Sequence, residues 1–168
     1  PTYEIENRAA DPHGRIEAAM TAIAPRDGRT VLDLGCGTGF HLPRFAATAA
    51  TVIAVEPHAD LVALAARRTR AMPNVSVLRG TAQAVPLPAD TIDVAHARWA
   101  YFFGPRCEPG LAELDRVVSR GGTAFVIAET AKLLHPVMPF ITEELWDKLG
   151  HRSQHGMLIG QPWPQPAP

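Results

Sequence analysis

Residues 31–40 read Val-Leu-Asp-Leu-Gly-Cys-Gly-Thr-Gly-Phe. Gly35, Gly37 and Gly39 fall on alternate positions directly after a short apolar run, and Asp33 stands just upstream of the first of them. Glycine has no Cβ and tolerates positive φ, so such a loop lets a ligand lie against bare main chain. Backbone N–H groups around Gly35–Gly39 and at the start of the following helix can meet its polar atoms. The acid at the entrance suits a ligand carrying positive charge. Glu56 closes the next apolar run, about 20 residues on, where a carboxylate can accept from both hydroxyls of a ribose. Gly80-Thr81-Ala82-Gln83 is placed to touch a base ring, and His96-Ala97-Arg98-Trp99 would line the opposite wall.

A dinucleotide site is the nearest competitor. Its fingerprint is GxGxxG, whereas the glycines here are spaced GxGxG with an acid upstream. Asp33 would repel a pyrophosphate; it would not repel a ligand with an amino group and a sulfonium. A helix ahead of the first strand also departs from the plain dinucleotide pattern.

These residues need strands that end together. Ile16, Ala19, Met20 and Ile23, recurring at spacings of three and four, predict a helix over 12–24, with Pro25 ending it. Strands are expected at 30–34, 51–56, 75–78, 91–97 and 123–128. Helices are expected at 40–49, with Leu42, Phe45, Ala46 and Ala49 on one face, at 60–72, and at 108–119, the last stopped by Gly121-Gly122. Strands alternating with helices, and apolar throughout, imply a parallel sheet covered on both faces. Right-handed crossovers make it a doubly wound α/β sheet, whose ligands bind beyond the carboxyl ends of the strands.

The composition fits an ordinary globular chain: 168 residues, 46% hydrophobic, 20% charged, net charge −1. That balance gives no electrostatic footprint for nucleic acid or an anionic membrane. Arg67, Arg68 and Arg70 read as the solvated face of a helix. Cys36 and Cys107 form no CxxC pair, and Cys36 lies inside the glycine loop, which points to a reducing, cytoplasmic compartment. No run reaches the length of a membrane span, and no charged-then-apolar leader opens the sequence. Pro1 is what a removed initiator Met or a trimmed chain would leave.

Over roughly residues 1–128 the chain resembles the class I S-adenosylmethionine-dependent methyltransferases. Val31–Phe40 looks like their first motif, Val55-Glu56-Pro57 like the acidic end of strand two, Leu78–Pro88 like their third segment and Thr91–Val94 like the start of strand four. Leu114–Gly122 is similar to the stretch leading into strand five. The resemblance implies a Rossmann-like core that binds S-adenosylmethionine and transfers its methyl to a small-molecule acceptor. It implies that Asp33, Gly35, Gly37 and Gly39 surround the methionine part, Glu56 the ribose, and Thr81, Ala82 and Gln83 the adenine; Cys36, Pro57 and Arg98 are also expected among the cofactor-binding residues. Thr81 stands where many relatives carry Asp; a hydroxyl accepts from the adenine amino group without charge, so weaker cofactor binding is expected.

A second resemblance covers residues 133–164. Leu133–Trp146 and Gln161-Pro162-Trp163-Pro164 look like a segment of valyl-tRNA synthetases, from the helical anticodon-binding domain. It implies two parts, a methyltransferase-like core at 1–130 and a synthetase-like tail at 131–168. The tail stands where further helices and two more strands would continue a methyltransferase, so the core is expected to be truncated after strand five. Short elements are expected at 142–149, helical, and at 157–160, extended and able to cover strand five.

His96, His41 and Tyr101 are the candidates for a catalytic base. Each has a plainer reading: His96 as a packed, hydrogen-bonded residue, His41 as a solvated helix start, Tyr101 as part of an aromatic run with Trp99, Phe102 and Phe103. Arg98 could hold an acidic substrate or pair with an acid of the protein. Tyr3 and Arg15 could fold over the ligand. His135, His151 and His155 share no metal-ligand spacing. The alternatives are a cofactor-binding or catalytically silent chimera, an RNA-binding adaptor and a nicotinamide-dependent oxidoreductase.

Overall fold

The structure, a computed structural model, describes residues 12–98 and 108–125 together with Glu4, Ile5 and Arg8. The chain divides after Phe125, and every described residue lies in the first part. Its elements are α1 (Arg15–Ile23), β1 (Thr30–Leu34), α2 (Leu42–Ala46), β2 (Thr51–Glu56), α3 (Ala59–Thr69), β3 (Val75–Arg79), β4 (Ile92–His96), α4 (Glu108–Val117) and β5 (Val118–Phe125).

The strands form one sheet in the order β3-β2-β1-β4-β5, and all four pairings are parallel. Strand order reverses beside β1, so the loops after β1 and β4 diverge and open a crevice at the carboxyl ends. The three central strands are buried on both faces. Val31, Leu32, Val52, Val55 and Ile92 are fully enclosed, which is why these segments carry apolar residues at consecutive rather than alternate positions. Phe45 and Leu42 of α2 are fully buried in the core as well; enclosing such a side chain contributes about 1.5–3 kcal/mol. Asn74 Nδ2 donates to the carbonyls of Ala46 and Ala49 at 2.9 and 3.0 Å, closing the C-terminal end of α2 ahead of β3. No helix among the described residues is long and apolar enough to cross a membrane.

Three elements depart from the expectation. The helix expected at 12–24 is the shorter α1 at 15–23, and its apolar positions are not all covered: Ile16 is 40% and Ile23 71% exposed, while Glu17 is buried. The helix expected at 40–49 is the shorter 42–46. Helix α4 ends at Val117 and β5 starts at the next residue, so Gly121-Gly122 lies within the strand rather than stopping a helix. Ile92 pairs with Val118 but Val94 pairs with Thr123, so the residues between bulge out of the ladder. A Cβ on Gly122 would stand 2.9 Å from the Ser119 carbonyl and 3.0 Å from that of Asp93, which the bulge leaves no room for. Among the described residues β5 is an edge strand; the expected elements at 142–149 and 157–160 lie outside them.

Candidate functional site

A cleft of about 500 Å³ opens beyond the carboxyl ends of β1, β2 and β3, within the range of small-molecule sites. Gly35, Gly37 and Thr38 of the glycine loop form one wall, Glu56 and Pro57 the base, and Thr81, Ala82 and Gln83 the far side, with Arg98 reaching in after β4. Leu34, Val55, His58, Leu61 and Gly80 complete it. His58 and Leu61 lie outside the motifs and are brought in only by the packing of α3 beside the cleft; Leu34, Thr38 and Val55 lie within motifs but were not singled out as contacts.

The loop turns through three residues at positive φ, Gly35 at 74°, Gly37 at 56° and Gly39 at 73°. Its amides are already committed. Gly35 N and Cys36 N donate to the Val55 carbonyl at 2.8 and 3.2 Å, and Gly39 N donates to Cys36 O at 2.9 Å. Gly37 N donates to Glu56 Oε2 at 3.0 Å. The expectation that these N–H groups meet the ligand is therefore corrected at four positions: those of Gly35, Cys36 and Gly37 lock the loop onto β2, and that of Gly39 closes a turn within the loop. A pyrophosphate, which needs such donors, is poorly served.

Glu56 is 4% exposed. Its second oxygen accepts from His58 N at 3.1 Å. Each carboxylate oxygen has two lone-pair sites, so capacity for two hydroxyl donors remains after both main-chain bonds are made.

The segment carrying Thr81–Gln83 is fastened from below. Arg116 of α4 donates to the carbonyls of Leu87 and Val85 at 2.8 and 3.0 Å, and Glu113 accepts from Val85 N at 2.9 Å. Arg116 and Glu113 also pair with each other at 2.7 Å. The Arg116 guanidinium holds the Glu113 carboxyl down at about 2, with the Val85 N–H adding to the effect. A Cβ on Gly80 would press against Pro86 and Val55 at 2.7 and 3.0 Å, so this loop lies tightly on the sheet.

Asp33, Cys36 and Gly39 stand behind the cleft rather than in its lining. Asp33 sits opposite His96 in the β1–β4 register, and its Oδ1 lies 2.9 Å from His96 Nδ1. Both are nearly inaccessible, and Asp33 Oδ2 is buried with no hydrogen-bond partner among the described residues. Burial pushes the Cys36 thiol well above its ordinary range, and the Asp33 and Glu56 carboxylates push the same way, so this thiol is inert. Gly39 lets β1's loop approach α3: a Cβ there would meet Ala65 at 3.0 Å and Leu42 at 2.9 Å.

A second cavity of about 410 Å³ adjoins the first and shares Arg98 with it. Its wall includes Arg8, Phe40, His41 and Arg44. Behind it stands Glu17, 5% exposed, with Arg26 and Arg98 at 3.5 Å, Arg44 at 3.6 Å and His41 at 3.7 Å. Arg98 thus pairs with an acid of the protein while facing both cavities. Glu17 was not legible as a site residue, since a lone acid in a short helix reads as solvent-facing.

His41 is not a solvated helix start. It is 5% exposed, stacks on Phe45 at a 6.0 Å centroid separation and lies 5.2 Å from the His96 ring. Burial pushes it down to about 4, with His96 and the nearby Arg98 and Arg44 acting in the same sense against Asp33. Burial thus disfavours the charged form of the imidazole where it approaches Glu17. His96 lines neither cavity. Arg15 is exposed and lines neither. Tyr101, Trp99, Phe102, Phe103, Cys107, Tyr3 and the tail histidines lie outside the described residues.

Sheet order, switch point and cleft define a doubly wound α/β ligand-binding domain. The chain belongs to the methyltransferase domain family, whose profile matches residues 31–122. A second profile, the anticodon-binding domain of tRNA ligase, matches residues 118–168. Among solved structures the chain is similar to YcgJ of Bacillus subtilis, at 25% identity and a TM-score of 0.59 over 66% of this chain and 48% of that one. It is similar also to a SAM-dependent methyltransferase from Aquifex aeolicus, at 25% identity and a TM-score of 0.57 over 69% and 67% of the two chains. The valine–tRNA ligase of Geobacillus kaustophilus is 42% identical over 59 residues, which is 35% of this chain and 6% of the ligase. The chain thus spans a small fraction of the ligases it matches and about half of YcgJ.

Proposed function

We propose that the first cleft binds S-adenosylmethionine and that the domain transfers methyl groups to a small-molecule acceptor. The observation that carries this reading is the bond between Gly37 N and Glu56 Oε2 inside one cleft. It spends the loop's N–H groups on protein and leaves an acid with spare acceptor sites, a polarity that suits hydroxyls and cations. In this reading Gly35, Gly37 and Thr38 border the methionine part, Glu56 accepts from the ribose and Thr81–Gln83 border the adenine. Asp33, Cys36 and Gly39 act through the loop, as its buried anchor and its packing contacts.

When bound, S-adenosylmethionine supplies an electrophilic sulfonium methyl. The chain's own residues hold the two reactants in line, and alignment provides much of the rate in such a transfer. The loop amides and the Arg116–Glu113 pair keep the two walls at fixed separation. Of the candidate bases among the described residues, His41 is the one that lines a cavity, and it could take a proton from an acceptor that must lose one.

Isothermal titration of the full chain with S-adenosylhomocysteine tests the reading. Binding that excess nicotinamide dinucleotide does not compete is the expected result; absence of binding overturns it. The match of residues 118–168 favours a second reading, a cofactor-binding chimera whose tail is a structural patch. Binding without methyl transfer across a broad acceptor screen selects it. A tRNA gel shift that persists at moderate salt would point instead to an RNA adaptor.

A further inference from the structure

The second cavity has a composition that cofactor binding does not use. Arg8, Arg44 and Arg98 converge on it, with the ring of Phe40 and His41 between them. Arg8 lies over Phe40 with its guanidinium carbon 5.7 Å from the ring centroid. Among the described residues the acids nearby do not balance this charge. Glu17 is shared among Arg26, Arg44 and Arg98, and Glu4 is paired with Arg68. Among the described residues, therefore, guanidinium outnumbers carboxylate around this hollow. Glu17 has a second effect: fixed from behind by one buried carboxylate, Arg98 is held in place and Arg44 is drawn toward the same wall, which lowers the entropy lost when they grip a ligand.

We propose that this cavity is a binding subsite for a small molecule carrying an oxyanion, a carboxylate or a phosphate, next to an apolar or aromatic body. Guanidinium forks match such oxyanions in geometry and charge, and Phe40 offers the body a ring to pack on. Arg98 borders both cavities, so an anion held there sits beside the cofactor cleft. On the reading under Proposed function, on which this role rests, the occupant is the methyl acceptor, and the acceptor class is narrowed to anionic molecules.

The test uses the full chain, with benzoate, its neutral counterpart benzamide, and inorganic phosphate as probes, each titrated with and without S-adenosylhomocysteine. Benzoate and phosphate are expected to bind and benzamide is not. Arg8→Gln, which leaves the Glu17 cluster intact, and Arg44→Gln should each weaken benzoate about tenfold or more. Arg67→Gln, on the exposed face of α3, should change nothing. Circular dichroism reports whether each variant is folded. If neither anion binds, or if benzamide binds as well as benzoate, the subsite is overturned while S-adenosylhomocysteine binding keeps the cofactor reading alive. If the anions bind with the stated arginine dependence and S-adenosylhomocysteine does not, the subsite stands and the cofactor reading falls. A benzoate affinity unmoved in folded Arg8→Gln also overturns the subsite.

Discussion

Gly37 and Glu56 are joined by a 3.0 Å hydrogen bond from the backbone N–H of the first to Oε2 of the second. The loop after β1 and the acid ending β2 are therefore one mechanical unit. Register makes this possible: Leu34 and Val55 are partners in adjacent parallel strands, so the residues that follow each leave the sheet side by side. A change at either residue should register in both ligand binding and loop stability.

Glu56→Ala removes the acceptor for Gly37 N and His58 N together. Stranding two partly buried donors costs about 1–3 kcal/mol of stability. S-adenosylhomocysteine affinity should fall about tenfold or more, and Glu56→Gln, which keeps one acceptor oxygen, should recover part of both losses. Titration calorimetry and urea unfolding separate the two effects. An alanine variant that binds as wild type would remove Glu56 from the site.

Gly37→Val combines two injuries. Its φ of 56° is a conformation that β-branched residues almost never adopt, and the added side chain enters the cleft. Strain of this kind costs about 1–3 kcal/mol. Gly28→Val provides the control: φ there is 69°, nothing lies within 4 Å of the added Cβ, and Gly28 does not line the cleft. Both variants should lose stability; Gly37→Val alone should lose S-adenosylhomocysteine binding. Equal binding in the two would place the ligand elsewhere.

The strands were the legible part. β1 and β2 fall on the expected residues because central parallel strands must be apolar throughout, and turn residues bracket those runs. The face of α1 was not legible. In a nine-residue helix an apolar stripe and a single acid are weak signals, and the pull of three arginines on Glu17 comes from segments far along the chain. The junction of α4 and β5 was misread for a related reason. A glycine pair ends helices often, but here Gly122 relieves crowding against Asp93, a neighbour in β4 that only the folded sheet supplies. The site divides the same way. Eight of the eleven residues singled out for cofactor contact line the cleft, while Asp33, Cys36 and Gly39 support it from behind. Spacing locates a loop in the sequence, but strand pairing decides which of its atoms are spent.

Thr81 lines the cleft and is exposed. Its segment is held by an isolated bridge to Ala84 and by the Arg116–Glu113 clasp, so a substitution at Thr81 should not move the main chain. Thr81→Asp replaces a neutral acceptor with a charged one. If the segment borders adenine, S-adenosylhomocysteine affinity should rise several-fold, since hydrogen bonds to ionised acceptors are about twice as strong as neutral ones. Unchanged or weaker binding by calorimetry would reject an acceptor role for this position.

His41 gives the fold a dependence on pH. Its folded value is pushed from 6.5 down to about 4, chiefly by burial. Below pH 6.5 the unfolded chain takes up this proton while the folded chain resists it. Stability therefore rises with pH across this window, and acid draws it down until the folded imidazole also charges near pH 4. Glu113 acts lower, in the usual carboxylate sense: its stabilisation is present above 4.5 and is lost as pH falls toward about 2. Urea unfolding at intervals from pH 7 to pH 4 should reveal the first slope, with its midpoint between the two His41 values. His41→Gln should flatten that slope and leave the steeper acid limb of the carboxylates in place. A variant whose curve keeps the wild-type slope would show that His41 binds its proton equally in the folded and unfolded chains, and would remove burial of this imidazole as the source of the slope.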